Sequence, residues 1–135
     1  MNNRQQVKII DFGFSTRHVV EKKHKLFCGT PSYMAPEIIG RREYLGTKAD
    51  IWALGVILYA LLTGMFPFKG CTTNELYLSI GKGKFHPPNH VSSRARALIA
   101  RMLNVNPMSR PSADEILEDP WFNGEELQLS KTMNL

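Results

Sequence analysis

Residues 51–68, IWALGVILYALLTGMFPF, contain no charged side chain. Gly64 and Pro67 should end a helix, which limits its helical part to about residues 51–63. That length is short of the roughly 20 residues that a membrane span requires, and it suits a core helix that is buried on all sides. A membrane span is the less favoured alternative. The stretch therefore predicts a mainly α-helical protein that is built around one apolar helix.

The helices around this stretch can be predicted from capping signals and from apolar spacing. A Ser or Thr followed three residues later by an acidic residue is typical of a helix N-terminus. The pattern occurs at Thr47 with Asp50, at Thr72 with Glu75, and at Ser112 with Glu115. The last helix should turn Ala113, Ile116 and Leu117 inward. Another helix is predicted from the stripe formed by Ala95, Leu98, Ile99 and Met102.

The N-terminal third of the chain has a different pattern. Residues 7–10, VKII, predict a short strand that ends before Gly13. Residues 14–36 lack apolar periodicity and include Pro31, so they predict a long loop, and loops of this length in compact domains are usually functional. One short strand and four or more helices make the predicted fold mainly α.

Composition excludes several classes of protein. The net charge of +5 is concentrated around residues 21–25, EKKHK, which form either a solvated basic loop or an anion contact. No aromatic platform accompanies this charge, so we expect no nucleic acid partner. The cysteines, Cys28 and Cys71, form no CxxC pair, which favours a reducing compartment. We expect the protein in the cytoplasm, with the nucleus as an alternative.

Three stretches in sequence order carry a family resemblance. They are Asp11-Phe12-Gly13, then CGTPSYMAPE at residues 28–37, then DIWALGVILY at residues 50–59. Their order and spacing resemble the C-terminal part of a eukaryotic-type protein kinase domain. The resemblance implies a partial kinase domain at residues 1–122, with an activation segment at 11–37, a helical C-lobe at 38–122 and a tail at 123–135.

The resemblance implies roles for residues of the catalytic centre. Asp11 would bind the Mg²⁺ that accompanies ATP, because phosphoryl transfer needs a divalent cation held by a carboxylate. Gly13 would let the backbone turn sharply beside it. Thr30 would bond an aspartate and a lysine of the catalytic loop, as it does in serine/threonine kinases.

Other residues would bind substrate or stabilise the fold. Phe27, Pro31 and Met34 would form the apolar pocket for the residue after the phosphoacceptor, and Phe14 resembles relatives that prefer serine as the acceptor. The structural residues would be Glu37, Arg110 and Asp50. Glu37 would form a buried ion pair with Arg110. Asp50 would bond the catalytic loop, a role that is compatible with capping the core helix.

Several parts of a kinase do not occur in the sequence. We find no Gly-rich loop, no strand lysine of the VAIK type, no helix glutamate to pair with it, and no HRD catalytic loop before Asp11. The chain alone is therefore expected to be inactive. Leu26 occupies a position that is a phosphorylated threonine in many relatives, which leaves Ser15, Thr16 or partner binding as alternatives. Ala60 replaces an acidic residue that selects arginine in substrates.

These observations leave more than one interpretation. The favoured one is a part of a serine/threonine kinase that resembles the calmodulin-dependent and AMP-activated kinase branch, with ATP and Mg²⁺ as cofactors. The alternative is a non-catalytic binding module that uses the helix at residues 72–80 and the basic loop. Expected partners are a protein substrate and either the kinase N-terminal half or another protein that covers the helix at 51–63. We expect no membrane association, and without a covering partner we expect poor solubility.

Overall fold

In a computed structural model, the described residues are 7–13, 15 and 23–122. Their regular structure is helical, as predicted. The helices are α1 at Pro36–Ile39, α2 at Gly46–Thr63, α3 at Thr73–Lys82, α4 at Ser93–Met102 and α5 at Ala113–Leu117. Two 3₁₀ turns lie at Pro31–Tyr33 and Pro107–Ser109. The prediction of a mainly α protein is confirmed.

Helix α2 is the centre of the fold. Trp52, Val56 and Tyr59 on this helix are buried, and the Trp52 ring stacks on the Phe68 ring with centroids 5.4 Å apart. Helix α4 packs along α2 and adds Ile99 to the same core. Helix α4 therefore buries the apolar face that is predicted from its sequence. The remaining members of that face are also buried: Ala95, Leu98 and Met102.

One side of α2 remains in contact with solvent. Leu54, Ile57 and Leu61 have relative exposures of 45%, 42% and 78%, and we call these residues the apolar stripe. Their spacing of three and four residues places them on one face of the helix. Among the helices that the structure describes, α2 is long and apolar enough to cross a bilayer. The core helices of globular proteins often have the same length and composition. The expectation that α2 is buried on all sides is therefore wrong for this face.

The predicted start of α2 is also wrong. The helix begins at Gly46, with Leu45 as its N-cap, and no side chain caps it. The Leu45 carbonyl already accepts hydrogen bonds from the amides of Lys48 and Ala49, both at 3.1 Å. Because the first turn closes there, Thr47 lies inside the helix. The Thr47–Asp50 capping box does not form.

The other two capping signals are confirmed. The Thr72 hydroxyl accepts the amide proton of Glu75 at the start of α3. The Glu75 carboxylate accepts the Cys71 amide proton, one residue earlier than in a capping box. At α5, Ser112 and Glu115 form the complete reciprocal capping box.

Helix α5 buries only part of its predicted apolar face. Ile116 is buried, whereas Ala113 and Leu117 are exposed, which corrects the prediction for these two. The helix has five residues, so it presents little more than one turn to the core. A helix of this length places one residue, Ile116, in the core.

The predicted strand at residues 7–10 does not form. Val7, Ile9 and Ile10 are more than 79% exposed, and their backbone pairs with no other described segment. A strand is stable only when a neighbouring strand satisfies its amide and carbonyl groups. No described segment supplies that neighbour, so the β-forming composition of VKII has no effect on its conformation.

Candidate functional site

The residues predicted to form a buried ion pair do so. The Arg110 guanidinium donates from Nη1 to Glu37 Oε1 at 2.7 Å and from Nη2 to Glu37 Oε2 at 2.8 Å. Glu37 is 4% exposed and Arg110 is 2% exposed. This bidentate arrangement offsets much of the cost of burying two charges, because it matches the planar shapes of both groups.

Further contacts complete the surroundings of Arg110. Its Nε donates to the Asn104 carbonyl at 2.8 Å, and its Nη1 also donates to the Lys48 carbonyl at 2.9 Å. The guanidinium lies over the Trp52 ring, 5.0 Å from the centroid. Arg110 therefore connects α1, which contains Glu37, with the first turns of α2. This connection fixes the end of the CGTPSYMAPE segment against the core.

Asp11 lies in a sharp turn at the other end of the predicted activation segment. Its φ angle is +61°, and its Oδ1 accepts the amide proton of Gly13 at 3.2 Å. The sequence predicts the unusual backbone conformation at Gly13, whereas the residue with a positive φ is Asp11. The hydrogen bond explains the difference, because aspartate can stabilise a left-handed conformation by bonding its own backbone two residues on.

Asp11 is exposed and could contribute one ligand to a metal ion. Its Oδ1 is engaged by Gly13, and its Oδ2 has no hydrogen-bond partner among the described residues. The part of the chain that the structure describes contains no group of three or more His, Cys, Asp or Glu that could hold a metal ion. These residues fit Mg²⁺ only as one carboxylate ligand, with other ligands coming from elsewhere.

The remaining predicted site residues lie in different environments. Thr30 is exposed and precedes the first 3₁₀ turn, where its carbonyl accepts the Tyr33 amide proton at 3.0 Å. Met34 is buried, Pro31 is half-buried and Phe27 is 41% exposed. Phe14 lies outside the described residues. The roles of these residues in catalysis and substrate binding stay predictions.

Asp50 lies on the solvent side of α2, in its second turn. Its carboxylate has no hydrogen-bond partner among the described residues, so the capping role predicted for it is wrong. Neighbouring protein atoms restrict water around it and raise the pKa of this carboxyl above its ordinary value. The bond from Asp50 to a catalytic loop stays a prediction.

Sequence reasoning missed a groove beside the first 3₁₀ turn. A cavity of about 460 Å³ lies between this turn, the α2–α3 loop and α3. Met65, Phe66, Lys69 and Leu76 line it, and the Phe66 ring contacts the Tyr33 ring edge-on at 5.4 Å. The run MFPF at residues 65–68, directly after Gly64, is the signal for this groove in the sequence, but on its own it predicts only the end of the core helix.

Comparison with known proteins agrees with this geometry. A family profile described as the protein kinase domain matches residues 1–122. CBL-interacting protein kinase 10 of Oryza sativa subsp. japonica is 45% identical over 125 residues, which cover 90% of this chain and 28% of that protein. Probable serine/threonine-protein kinase MARK-A of Dictyostelium discoideum is 41% identical over 130 residues, which cover 96% of this chain and 12% of that protein.

The name of a third relative describes it as an inactive kinase. Inactive serine/threonine-protein kinase PLK5 of Mus musculus is 42% identical over 124 residues, which cover 91% of this chain and 21% of that protein. The chain thus spans less than a third of the length of these relatives. The family profile nevertheless covers most of the chain, and the Glu37–Arg110 pair and the Asp11 turn lie within the matched residues. The chain therefore belongs to the eukaryotic-type serine/threonine protein kinase family.

Proposed function

We propose that the chain supplies the metal-binding turn and the substrate-binding helical half of a serine/threonine kinase, which transfers the γ-phosphate of ATP to a protein serine or threonine. The Glu37–Arg110 pair is the observation that carries this proposal. It fixes the Ala35-Pro36-Glu37 end of the segment that begins at Asp11. A rigid end is what a substrate-binding segment requires if it is to position a hydroxyl group for in-line transfer.

Asp11 is the residue of this chain that we assign to the chemistry. Bound Mg²⁺ would neutralise negative charge between the β- and γ-phosphates of ATP. Asp11 would hold that ion through its carboxylate, and the Gly13 amide would fix the carboxylate orientation through the bond to Oδ1. Thr30 and the apolar residues Phe27, Pro31 and Met34 would then orient the protein substrate.

We further propose that the residues of this chain act only together with a nucleotide-binding half. The 135 residues include no Gly-rich loop, strand lysine or HRD sequence. The exposed apolar stripe on α2 supports this proposal, because burying Leu54, Ile57 and Leu61 against another segment would remove apolar surface from water. By itself the chain would bind Mg·ATP weakly and would not transfer phosphate. Its free cysteines, Cys28 and Cys71, support a reducing compartment such as the cytoplasm.

A chimera tests the proposed function. The N-terminal half of the kinase domain of the rice relative, through its catalytic loop, would be fused before Val7 of this chain. Transfer of labelled γ-phosphate to serine and threonine peptides would then be measured. We expect activity in the chimera, and a loss of about 100-fold or more with Asp11→Asn, since metal contacts contribute several kcal/mol to catalysis.

The matched control for this chimera is Glu118→Gln, which neutralises an exposed carboxylate after α5. We expect it to leave the activity unchanged. A folded chimera that is inactive, or one in which Asp11→Asn is as active as the parent, would contradict the proposed function.

A second candidate is a non-catalytic protein-binding module. The observation that favours it is the 42% identity with a relative whose name describes it as inactive. In that case the chain would bind a protein partner through α3 and the groove beside it. An inactive folded chimera, together with saturable binding of a protein partner that Leu76→Lys abolishes, would favour this candidate over the first.

A further inference from the structure

Residues 24–27 lie against residues 41–46, and we call this pair of segments the clasp. Its backbone forms an isolated antiparallel bridge between His24 and Tyr44. The His24 amide donates to the Tyr44 carbonyl at 2.8 Å, and the Tyr44 amide donates to the His24 carbonyl at 3.0 Å. The bridge joins the predicted activation segment to the loop between α1 and α2.

The next three residues also contact that loop, Lys25 and Phe27 through their side chains and Leu26 through its backbone carbonyl. The Leu26 carbonyl accepts the Tyr44 hydroxyl proton at 3.0 Å. The Lys25 ammonium lies 3.0 Å from the Glu43 carboxylate, and this contact lowers the pKa of Glu43. The Arg41 guanidinium lies over the Phe27 ring, 5.0 Å from the centroid. Each of the four residues 24–27 therefore contacts the loop between α1 and α2.

The conformation of the loop supports a specific role for these contacts. Arg41 has a φ of +51°, which L-residues other than Asn and Asp seldom adopt. Such conformations persist when the surrounding contacts determine them, and they are concentrated at functional sites. Burial, the largest cause, raises the pKa of Tyr44 above its ordinary value.

The first segment of the clasp, residues 24–27, has no side chain that could be phosphorylated on a hydroxyl group. These residues are His, Lys, Leu and Phe. The segment that follows begins at Cys28 and ends at Glu37, where the Arg110 ion pair holds it. The clasp and the ion pair thus restrain the two ends of the same segment.

We propose that Tyr44, Glu43 and Arg41 are positioning residues, which hold the start of the substrate-facing segment in place without phosphorylation. The clasp orders the start of this segment through contacts within the chain, so the segment is in place for substrate as soon as the nucleotide-binding half is present. This inference deepens the proposed function and rests on it. The backbone bridge and the Tyr44 hydroxyl are the main contacts, because Lys25 and Glu43 are 76% and 48% exposed and exposed ion pairs are weak.

Hydrogen exchange on the full 135-residue chain tests the clasp without any nucleotide. Tyr44→Phe removes only the hydroxyl that bonds Leu26. We expect the His24 amide to exchange about tenfold faster in this variant, because the lost hydrogen bond favours local opening. Amides in α4 should not change. Tyr77→Phe is the matched control, since the Tyr77 hydroxyl has no partner among the described residues. Unchanged exchange at His24 in Tyr44→Phe, or equal acceleration along the whole chain, would overturn the proposal.

A charge exchange tests the ion pair separately. Lys25→Glu and Glu43→Lys should each accelerate exchange at His24 by a small factor at low salt. The double variant should restore the parent rate, because it reverses the pair and keeps the attraction. The differences should disappear at about 1 M salt, where exposed charges are screened. If the double variant did not restore the parent rate, the Lys25–Glu43 ion pair would not contribute to the clasp, and the role proposed for Glu43 would be wrong.

The chimera described above links the clasp to activity. Phosphatase treatment should leave its activity unchanged, whereas Tyr44→Phe should raise KM for the peptide substrate several-fold with little change in kcat, as expected for lost ground-state binding. Tyr77→Phe should change neither. Activity that disappears on phosphatase treatment would overturn the proposal. An inactive chimera would instead contradict the proposed function, and the exchange experiments would still decide whether the clasp exists.

Discussion

Gly55 of α2 and Met102 of α4 meet with no room for a methyl group between them. A Cβ atom added to Gly55 would lie 2.9 Å from the Met102 Cβ and 3.0 Å from Leu103 Cδ2. The Met102 Cβ is attached directly to the α4 backbone and cannot rotate away. The distance between the two central helices therefore depends on this glycine.

We expect Gly55→Ala to lower the free energy of unfolding by about 1–3 kcal/mol, because the added methyl group overpacks the interface. Urea unfolding followed by circular dichroism would measure the change. The matched control is Gly81→Ala in α3, where an added Cβ meets nothing within 4 Å. That variant should gain about 0.5 kcal/mol from helix propensity. Stabilisation by both substitutions would mean that α2 and α4 are not in tight contact.

A second prediction concerns the buried ion pair. Arg110→Met leaves the Glu37 carboxylate buried without its partner, so we expect a loss of about 3–5 kcal/mol in the free energy of unfolding. The double variant Glu37→Leu with Arg110→Met removes both charges and should recover part of that loss. Urea unfolding of the two single variants and the double variant forms a cycle. A double variant as unstable as the sum of the two single ones would show that the residues act independently.

A third prediction concerns the apolar stripe. Replacing Leu54, Ile57 and Leu61 together with glutamine should increase the monomer fraction measured by analytical ultracentrifugation. Each substitution should change the free energy of unfolding by no more than about 0.5 kcal/mol, because these side chains are exposed. Val56→Gln is the control, since Val56 is fully buried on the same helix and its replacement should unfold the chain. A parent chain that is already monomeric would contradict the prediction.

A fourth prediction is a pH dependence at α5. Hydrogen bonding to the Ser112 backbone and side chain lowers the pKa of Glu115 below its ordinary value of 4.5. A carboxyl with a lowered folded-state pKa stabilises the protein above its unfolded-state pKa, and this contribution is lost as the pH falls through the folded-state pKa. Glu115→Gln should therefore reduce stability at pH 7, and this difference should shrink below about pH 4. Equal differences at pH 7 and pH 3 would contradict the assignment.

Asp50 should behave in the opposite way. Restricted hydration raises its pKa above the ordinary 3.8, so the ionised form is unfavourable in the folded chain. This penalty is present above the folded-state pKa and disappears as the pH falls below the unfolded-state value. Asp50→Asn should raise the Tm of the chain slightly at pH 7 and leave it unchanged near pH 3. In the active chimera the same substitution should lower activity, if Asp50 bonds the catalytic loop.

Local signals in the sequence predicted much of this fold. Capping by Thr72 and Ser112 depends on residues within one helical turn, and the inward face of α4 follows from helical spacing alone. The Glu37–Arg110 pair could be predicted only from the family resemblance, because the two residues are separated by 73 positions. A buried charge is strongly destabilising without a partner of opposite sign, so such a pair can be recognised once the family is known.

The wrong and missed predictions have a common physical cause. The features concerned depend on residues distant in the sequence or on backbone conformation. VKII has the composition of a strand, yet a strand exists only where another strand pairs with it. Leu45 caps α2 through its backbone, so it leaves no signature in the sequence. The clasp between residues 24–27 and 41–46 and the groove at Phe66 are tertiary contacts between segments that show no shared pattern. The positive φ of Asp11 likewise depends on one hydrogen bond.

The separation of Glu37 and Arg110 in the sequence also affects how the chain folds. Helices such as α3 and α4 form from local contacts, whereas the ion pair must close a loop of 73 residues before its hydrogen bonds can form. During synthesis, Glu37 leaves the ribosome long before Arg110 has been added. We therefore expect the anchoring of Glu37 by Arg110 to follow the formation of α3 and α4 when the chain refolds.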